Sequence, residues 1–137
     1  MSEVTPEQPS HSVLVVDDDD AIRLIMTRIL ARAGFAVTQA ADGREAIQKI
    51  QHHRFDAILL DLMMPNTDGY EVIAYVKQHH PGQRGVIVVS AAAVRAFDKI
   101  DMTVVAATLR KPFDLDALVA AVNACIESRE DQCSPLA

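Results

Sequence analysis

Side chains that could carry charge or accept a phosphoryl group stand directly after four apolar runs of the sequence. Asp17 begins a run of four aspartates after the first apolar run, and Asp61 follows the third. Ser90 follows the fourth run, and Lys111 comes shortly after the fifth. If the runs are neighbouring parallel strands, their carboxyl ends meet at one edge of a sheet. We therefore expect the acids Asp17, Asp18 and Asp61 to share one crevice, with the hydroxyl and the amine at its rim.

Three carboxylates in one crevice repel one another, and a single lysine does not neutralise them. A hard divalent cation would do so, and an all-oxygen site that leaves coordination positions open suits Mg²⁺. A metal and a lysine around a carboxylate describe a phosphoryl-transfer centre, where positioning and charge stabilisation supply most of the catalysis. Asp61 stands alone at its strand end, so it is the candidate nucleophile that would form an acyl phosphate.

Each of these residues also has an ordinary structural explanation. Acidic residues favour helix N-termini, so the run at 17–20 could be a capping cluster, and we assign its last two members to the cap and first turn of a helix. Asp61 and Ser90 could be turn residues, and Lys111 could be a solvated charge. The functional interpretation is favoured because all four positions fall at the same predicted edge.

The runs that end in these residues are apolar throughout rather than at alternate positions. This is typical of parallel strands that are buried on both faces. Five strand–helix units in this order predict an α/β fold, a doubly wound five-stranded parallel sheet of order 2-1-3-4-5. Two helices carry clear core-facing stripes. The stripe of the first helix is Ile22, Ile25, Met26, Ile29, Leu30 and Ala33, and that of the last is Leu115, Leu118, Val119, Val122 and Ile126.

The length and composition predict one domain between two polar tails. The chain has 137 residues, of which 50% are apolar, and a compact domain usually runs about 100–200 residues. We expect a flexible N-terminal tail at 1–11, the domain at 12–128 and a flexible C-terminal tail at 129–137. A short fourth helix is expected around residues 94–100.

Charge and cysteine content narrow the partners and the compartment. The 13 basic and 19 acidic residues give a net charge of -6 without a basic run, so direct nucleic-acid binding is not expected. No apolar stretch approaches the roughly 18 residues of a membrane span, and the first residues lack an export signal. The two cysteines fit no zinc or redox spacing. A cytoplasmic location without membrane contact is therefore expected.

Four blocks of the sequence carry a family resemblance: Val13–Asp20, Leu60–Gly69, Val89–Ala91 and Leu109–Phe113. Together they resemble the signature blocks of response-regulator receiver domains of two-component signalling, and the match covers about residues 12–128. The resemblance implies a flavodoxin-like (βα)5 fold, as in chemotaxis regulators. It also implies a signalling receiver rather than an enzyme, one that catalyses only its own aspartyl phosphorylation and dephosphorylation.

The resemblance implies a magnesium site. Asp18 and Asp61 would bind Mg²⁺ directly, and Asp17 would bind it directly or through water. The backbone carbonyl of Met63 would complete the protein ligands.

The resemblance also implies a phosphorelay, with Asp61, Lys111 and Ser90 as its catalytic residues. A histidine kinase or a histidine phosphotransfer protein would present a phosphohistidine, and Asp61 would be the phosphoacceptor. Lys111 would pair with the phosphoryl group. Ser90 would couple phosphorylation to a change on the face formed by the fourth helix, the fifth strand and the last helix, which would bind a downstream protein.

The sequence departs from the family pattern in two places, and two further residues bear on dephosphorylation. Thr108 stands where the family usually carries an aromatic switch residue, so we expect no aromatic switch here. The stretch 104–107 is apolar, which favours a protein-binding patch on the surface. Met63 and Ala92 cannot hold an attacking water by a strong hydrogen bond, so we expect slow intrinsic dephosphorylation.

Two alternatives stay open at this point. Asp17-x-Asp19, Ser90 and Lys111 loosely resemble a haloacid-dehalogenase-type phosphatase, in which Asp17 would be the nucleophile and Asp61 would have no role. A pseudo-receiver that never accepts phosphate is the other alternative. The sequence fits both a stand-alone receiver and a piece of a larger regulator or hybrid kinase.

Overall fold

The structure is a computed structural model that describes residues 11–62, 69–80, 85–90, 105–111 and 114–133, without the side chains of 90 and 128–133. Within these ranges the chain alternates strands and helices, as predicted. The elements are β1 Ser12–Val16, α1 Asp20–Arg32, β2 Ala36–Ala40, α2 Gly43–His52, β3 Ala57–Leu60, α3 Gly69–His79, β4 Val86–Ser90, β5 Val105–Arg110 and a C-terminal helix, Leu115–Cys133.

The strands form one parallel sheet of order β2-β1-β3-β4-β5, which confirms the predicted order. Val16, the last residue of β1, pairs with Ala40 of β2 and with Leu60 of β3. All three strands therefore end at the same level. Asp17 and Asp61 are the next residues after β1 and β3, so the register alone makes them neighbours at the carboxyl edge.

Helices cover both faces of the sheet, and successive strand residues point to opposite layers. In β1, Leu14 and Val16 pack with α2 and α3, whereas Val13 and Val15 pack with α1 and the C-terminal helix. This explains why the strands are apolar at every position. The fully apolar core leaves the strand ends as the place where charged side chains gather.

The ends of α1 follow from two residues of the sequence. Asp19 is the N-cap, and its carboxylate accepts hydrogen bonds from the backbone of Ala21 and Ile22 at 3.0 and 3.1 Å. Gly34, with φ of 101°, ends the helix in a left-handed conformation that favours glycine. The predicted assignment of Asp19 as a cap is confirmed.

Some predicted core positions are wrong. Ile25 and Leu115 are each 50% exposed, because the sheet contacts a narrower strip of each helix than the apolar stripe covers. The predicted surface patch at 104–107 is wrong for two residues: Val105 is buried, and Ala107 packs against the core. These two side chains alternate with exposed ones, since β5 lies at the edge of the sheet.

The C-terminal helix continues to Cys133, into the segment that the sequence assigns to a tail. Arg129, Glu130 and Gln132 are good helix formers, and the first helix-breaking residue is Pro135. In the part of the chain that the structure describes, no helix is both long enough and apolar enough to cross a membrane. Residues 1–10 of the predicted N-terminal tail lie outside the described residues, as does the predicted fourth helix.

Candidate functional site

Three carboxylates meet where β1 and β3 end. One oxygen from each of Asp17, Asp18 and Asp61 lies within 4.8 Å of the other two. Asp17 is fully buried and Asp61 is 6% exposed, whereas Asp18 is exposed to solvent. Such clustering of buried acids is costly unless a cation compensates them, so the crevice is a candidate site for chemistry.

The backbone holds Asp17 and Asp61 in fixed places. The amide of Asp61 donates to the carbonyl of Val16 at 3.1 Å, and the amide of Asp17 donates to the carbonyl of Ala40 at 3.2 Å. One carboxylate oxygen of Asp17 also accepts from the amide of Asp19 at 2.9 Å. Strand ends and the α1 cap therefore fix the two acids before any ligand binds.

Lys111 follows β5 directly, and its side chain reaches across to the crevice. Its Nζ donates to Oδ2 of Asp17 at 2.7 Å and lies 3.5 Å from Oδ2 of Asp61. Burial alone would lower the pKa of the Lys111 ammonium, but the hydrogen bond and charge of Asp17 and the charge of Asp61 outweigh it and raise this pKa. The lysine is therefore a protonated, fixed cation between two acids.

The charges around the crevice fit a divalent cation. With all groups ionised, the three carboxylates contribute −3 and Lys111 contributes +1, which leaves −2. Oxygens that face each other across one Mg²⁺ ion lie about 4.2 Å apart, since each bond measures about 2.1 Å. The three carboxylate oxygens lie within 4.8 Å of one another, so one ion could contact all three after small shifts of the side chains. The donor set is all-oxygen, which is the set Mg²⁺ prefers, so these residues could hold the ion.

Arg23 on α1 binds the backbone of the acidic segment that follows β1. Its Nη1 donates to the carbonyl of Asp17 at 2.7 Å, and its Nε donates to the side-chain oxygen of Gln39 at 3.2 Å. Its other terminal nitrogen pairs with Asp20. The guanidinium thus ties the loop after β1 to β2. Sequence reasoning missed this residue, and an arginine one turn into the helix after an acidic run was the available signal.

Gly69 begins α3 against the backbone that follows β3. Its amide donates to the carbonyl of Leu62 at 2.9 Å. A Cβ added at Gly69 would lie 2.6 Å from the carbonyl oxygen of Asp61 and 2.6 Å from Cα of Leu62. Gly69 is the first residue of the helix and needs its small size for this close approach.

The structure brings four of the predicted site residues together: Asp17, Asp18, Asp61 and Lys111. Ser90 is the last residue of β4 and pairs with Arg110 in the sheet register. The Ser90 side chain and the whole of Met63 lie outside the described part of the chain, as does Ala92. Their assigned roles stay predictions.

Comparison with known proteins identifies the family. Residues 13–123 match the family model of the response regulator receiver domain. The chain belongs to this family. Receiver domains are signalling modules of two-component systems, and the acidic crevice lies at the carboxyl edge of this one.

Sequence relatives agree with this assignment. The DNA-binding transcriptional regulator NtrC of Escherichia coli (strain K12) is 36% identical over 128 residues, which cover 90% of this chain and 26% of NtrC. The chain therefore spans about a quarter of that relative. Protein PilG of Pseudomonas aeruginosa is 31% identical over 118 residues, which cover 85% of this chain and 87% of PilG.

Solved structures agree as well. A CheY-like response regulator receiver domain protein from Methanospirillum hungatei JF-1 has a TM-score of 0.85 at 26% identity, covering 90% of this receiver domain and 99% of that chain. The response regulator TrrA of Thermotoga maritima, crystallised in complex with Mg²⁺ and BeF, has a TM-score of 0.77 at 25% identity, covering 84% and 98%.

Proposed function

We propose that the chain is the phosphoacceptor receiver of a two-component phosphorelay and that Asp61 takes the phosphoryl group. The donor is a histidine kinase or a histidine phosphotransfer protein that presents a phosphohistidine. Membership of the receiver family supports this class of donor. The finer assignment of Asp61 rests on the difference among the three carboxylates of the crevice.

One observation carries that assignment: of the two acids that contact Lys111, Asp61 is the more exposed. Asp17 is fully buried and both of its carboxylate oxygens are engaged, one by Lys111 and one by an amide. Asp18 is exposed but is not among the acids that pair with Lys111 in the described structure. Asp61 is 6% exposed, against 0% for Asp17, and its Oδ2 lies 3.5 Å from the Lys111 amine. Asp61 is therefore the more exposed of the two acids that contact the lysine, which supports it as the acceptor.

In the proposed reaction, a carboxylate oxygen of Asp61 attacks the phosphorus of phosphohistidine. The new P–O bond forms as the P–N bond breaks, and the imidazole nitrogen leaves with the electron pair and takes up a proton. Negative charge on the phosphoryl oxygens is stabilised by the ammonium of Lys111, which the crevice already holds in place. Later attack by water on the acyl phosphate releases inorganic phosphate and restores the carboxylate.

Magnesium is the proposed cofactor, held by Asp17, Asp18 and Asp61 with the backbone carbonyl of Met63. When bound, it supplies positive charge that offsets the repulsion between these carboxylates and an incoming phosphoryl group. Asp17 keeps Lys111 oriented, because the 2.7 Å hydrogen bond holds the amine over the crevice. TrrA is a relative whose structure contains Mg²⁺ and BeF, which supports the same ligand class here.

Ser90 is proposed to sense the phosphoryl group and to change the face that includes β5. Two adjacent strands connect the site to this face, because Ser90 pairs with Arg110. Thr108 is exposed on β5, so a downstream protein could contact this strand without an aromatic switch. The relative NtrC is named as DNA-binding, and direct binding of this chain to nucleic acid remains outside the proposal.

The phosphatase alternative requires Asp17 as the nucleophile. Asp17 is fully buried, and its two carboxylate oxygens accept hydrogen bonds from Lys111 and from a backbone amide, so it is a poor candidate for that role. The same alternative leaves the buried pair of Asp61 and Lys111 without a purpose. It predicts repeated turnover of a generic phosphate ester, whereas the receiver predicts a single covalent labelling.

The test is phosphate incorporation from a small phosphoramidate donor. We expect a label that requires Mg²⁺, is released by hydroxylamine and is lost in Asp61→Asn, with no turnover of a generic phosphate ester. Asp20→Asn is the matched control, since Asp20 is an exposed acid in the first turn of α1 that pairs with Arg23. A folded wild type that takes up no label would contradict the proposal and favour the pseudo-receiver, and a label that survives in Asp61→Asn would move the acceptor elsewhere.

A further inference from the structure

Two glycines of the described chain are required for different physical reasons. Gly34 has φ of +101°, and a Cβ added there would meet nothing within 4 Å. It is needed for its backbone conformation alone. Gly69 has no such dihedral, but an added Cβ would overlap two backbone atoms at 2.6 Å. It is needed for space, and the space lies against the residue proposed to accept phosphate.

The overlap at Gly69 cannot be relieved by a side-chain rotation. The carbonyl oxygen of Asp61 and the Cα of Leu62 are backbone atoms. The Cδ2 of Leu62 is also close, at 3.1 Å from the added Cβ. Ordinary carbon contacts lie at about 3.5–4.0 Å. A methyl group would therefore push α3 and the turn after β3 apart by a sizeable fraction of an ångström.

We propose that Gly69 is a positioning residue for phosphoryl transfer. Its missing side chain lets α3 begin in direct contact with the Asp61–Leu62 backbone, and that contact sets the Asp61 carboxylate relative to Lys111. Two hydrogen bonds hold the turn from opposite sides. The amide of Gly69 donates to Leu62 at 2.9 Å, and the amide of Asp61 donates to Val16 at 3.1 Å.

The inference rests on the proposed function, because the geometry matters only if Asp61 accepts phosphate. A displacement of about 1 Å in a reacting group can lower a rate by about 100-fold. The shift expected from one methyl group is smaller, so we expect Gly69→Ala to slow labelling by about 10- to 100-fold. Wild-type labelling tests the proposed function separately from this inference.

The experiment compares Gly69→Ala with Gly34→Ala in the full chain. Both variants are expected to unfold at lower urea than wild type, Gly34→Ala because alanine is strained at positive φ. Gly34 ends α1 and precedes β2, so it lies away from the carboxyl edge. Its variant therefore controls for lost stability at an undisturbed site. Labelling rates are measured with the phosphoramidate donor and Mg²⁺, well below the unfolding transition of each protein.

A second readout follows the geometry of Asp61 directly. Beryllofluoride mimics the phosphoryl group, and its ¹⁹F NMR shifts report the environment of the bound fluorines. We expect shifted or weakened binding signals in Gly69→Ala and wild-type signals in Gly34→Ala. If Gly69→Ala does not fold in buffer, all three proteins are compared in trimethylamine N-oxide, which favours the folded state.

The outcomes separate the two claims. Slow labelling and altered ¹⁹F signals in Gly69→Ala alone support the positioning role. Wild-type labelling and wild-type signals in a folded Gly69→Ala would overturn it and leave the proposed function intact. Equal slowing in Gly34→Ala would also overturn it, since lost stability would then explain the effect. A wild type without label would instead contradict the proposed function.

Discussion

The two ends of the β1–β3 pair use the same residue types in opposite ways. At the amino end, Asp56 precedes β3 and accepts from the amide of Ser12 at 2.8 Å, and the imidazole of His11 lies 3.4 Å away. At the carboxyl end, Asp17 and Asp61 follow the same strands and meet the amine of a lysine. Each end therefore combines aspartate with a basic side chain.

Burial separates the two ends. The side chains of His11 and Asp56 are 43% and 32% exposed, whereas those of Asp17 and Asp61 are 0% and 8% exposed. At the amino end, solvent screens the carboxylate of Asp56, which accepts a hydrogen bond from the backbone of β1. At the carboxyl end, charge is buried at a cost to stability. Asp56 is explained by its bond to the neighbouring strand. The burial of Asp17 and Asp61 is not explained in this way, so these two acids are the ones expected to have a functional role.

The largest difference between the two ends is expected when the basic residue is replaced, Lys111 at the carboxyl end and His11 at the amino end. Lys111→Met is expected to slow labelling by about 100- to 1,000-fold, as when one donor that stabilises transition-state charge is lost. His11→Ala should leave the rate within about twofold, because its imidazole lies at the far end of the sheet. Initial labelling rates at saturating Mg²⁺ decide this. Equal slowing in both variants would remove the distinction between the ends.

Magnesium affinity gives the next largest effect. Asp18→Asn removes one of the three proposed carboxylate ligands and is expected to weaken Mg²⁺ binding by at least about tenfold, or about 1.4 kcal/mol. Asp56→Asn should bind Mg²⁺ like wild type. Calorimetric titration with Mg²⁺ measures both, and unchanged affinity in Asp18→Asn would place the ion elsewhere.

Stability at the amino end is expected to change less. Asp56→Asn keeps the shape of the side chain but loses the charge that strengthens its hydrogen bond from the amide of Ser12. We expect a loss of about 1 kcal/mol in the free energy of unfolding, with labelling unaffected. Urea unfolding measures the first quantity. A folded Asp56→Asn that labels slowly would show that the amino end also serves the site.

The smallest expected effect is at alkaline pH in the metal-free protein. Because the folded-state pKa of Lys111 is raised, its stabilising contribution is fully present below its unfolded pKa of about 10.4 and is lost as pH rises through the folded pKa. Urea unfolding in EDTA should therefore show the stability difference between wild type and Lys111→Met shrinking as the pH rises above about 10.4. A difference that grows above this pH would contradict the assigned direction.

Much of the site was predictable because strand ends are visible in the sequence. Apolar runs that stop at Asp17 and Asp61 fix both the sheet edge and the acids that lie there, once the strands are parallel. The division of the run 17–20 into two site acids and two helix residues was also predictable. Asp19 caps α1, and Asp20 lies in its first turn. These predictions depend on local chemistry and on chain order, which a sequence contains.

The remaining features depend on distances between elements. Periodicity identifies an apolar stripe, but not how much of it the sheet covers, so Ile25 and Leu115 were assigned to the core and are half exposed. The contact of Arg23 with the Asp17 carbonyl depends on the path of one loop. The approach of Gly69 to Asp61 depends on where α3 begins. None of these distances is encoded by residue type or spacing alone.

Locating the phosphorylated carboxylate shows directly whether Asp61 is the phosphoacceptor. Borohydride reduces an aspartyl phosphate to homoserine, and peptide mass spectrometry then reads its position. After labelling with the phosphoramidate donor and Mg²⁺, we predict homoserine at position 61 and unmodified Asp17, Asp18 and Asp56. Homoserine at position 17 or 18 would contradict this prediction, because the acceptor would then not be the more exposed of the two acids that contact Lys111.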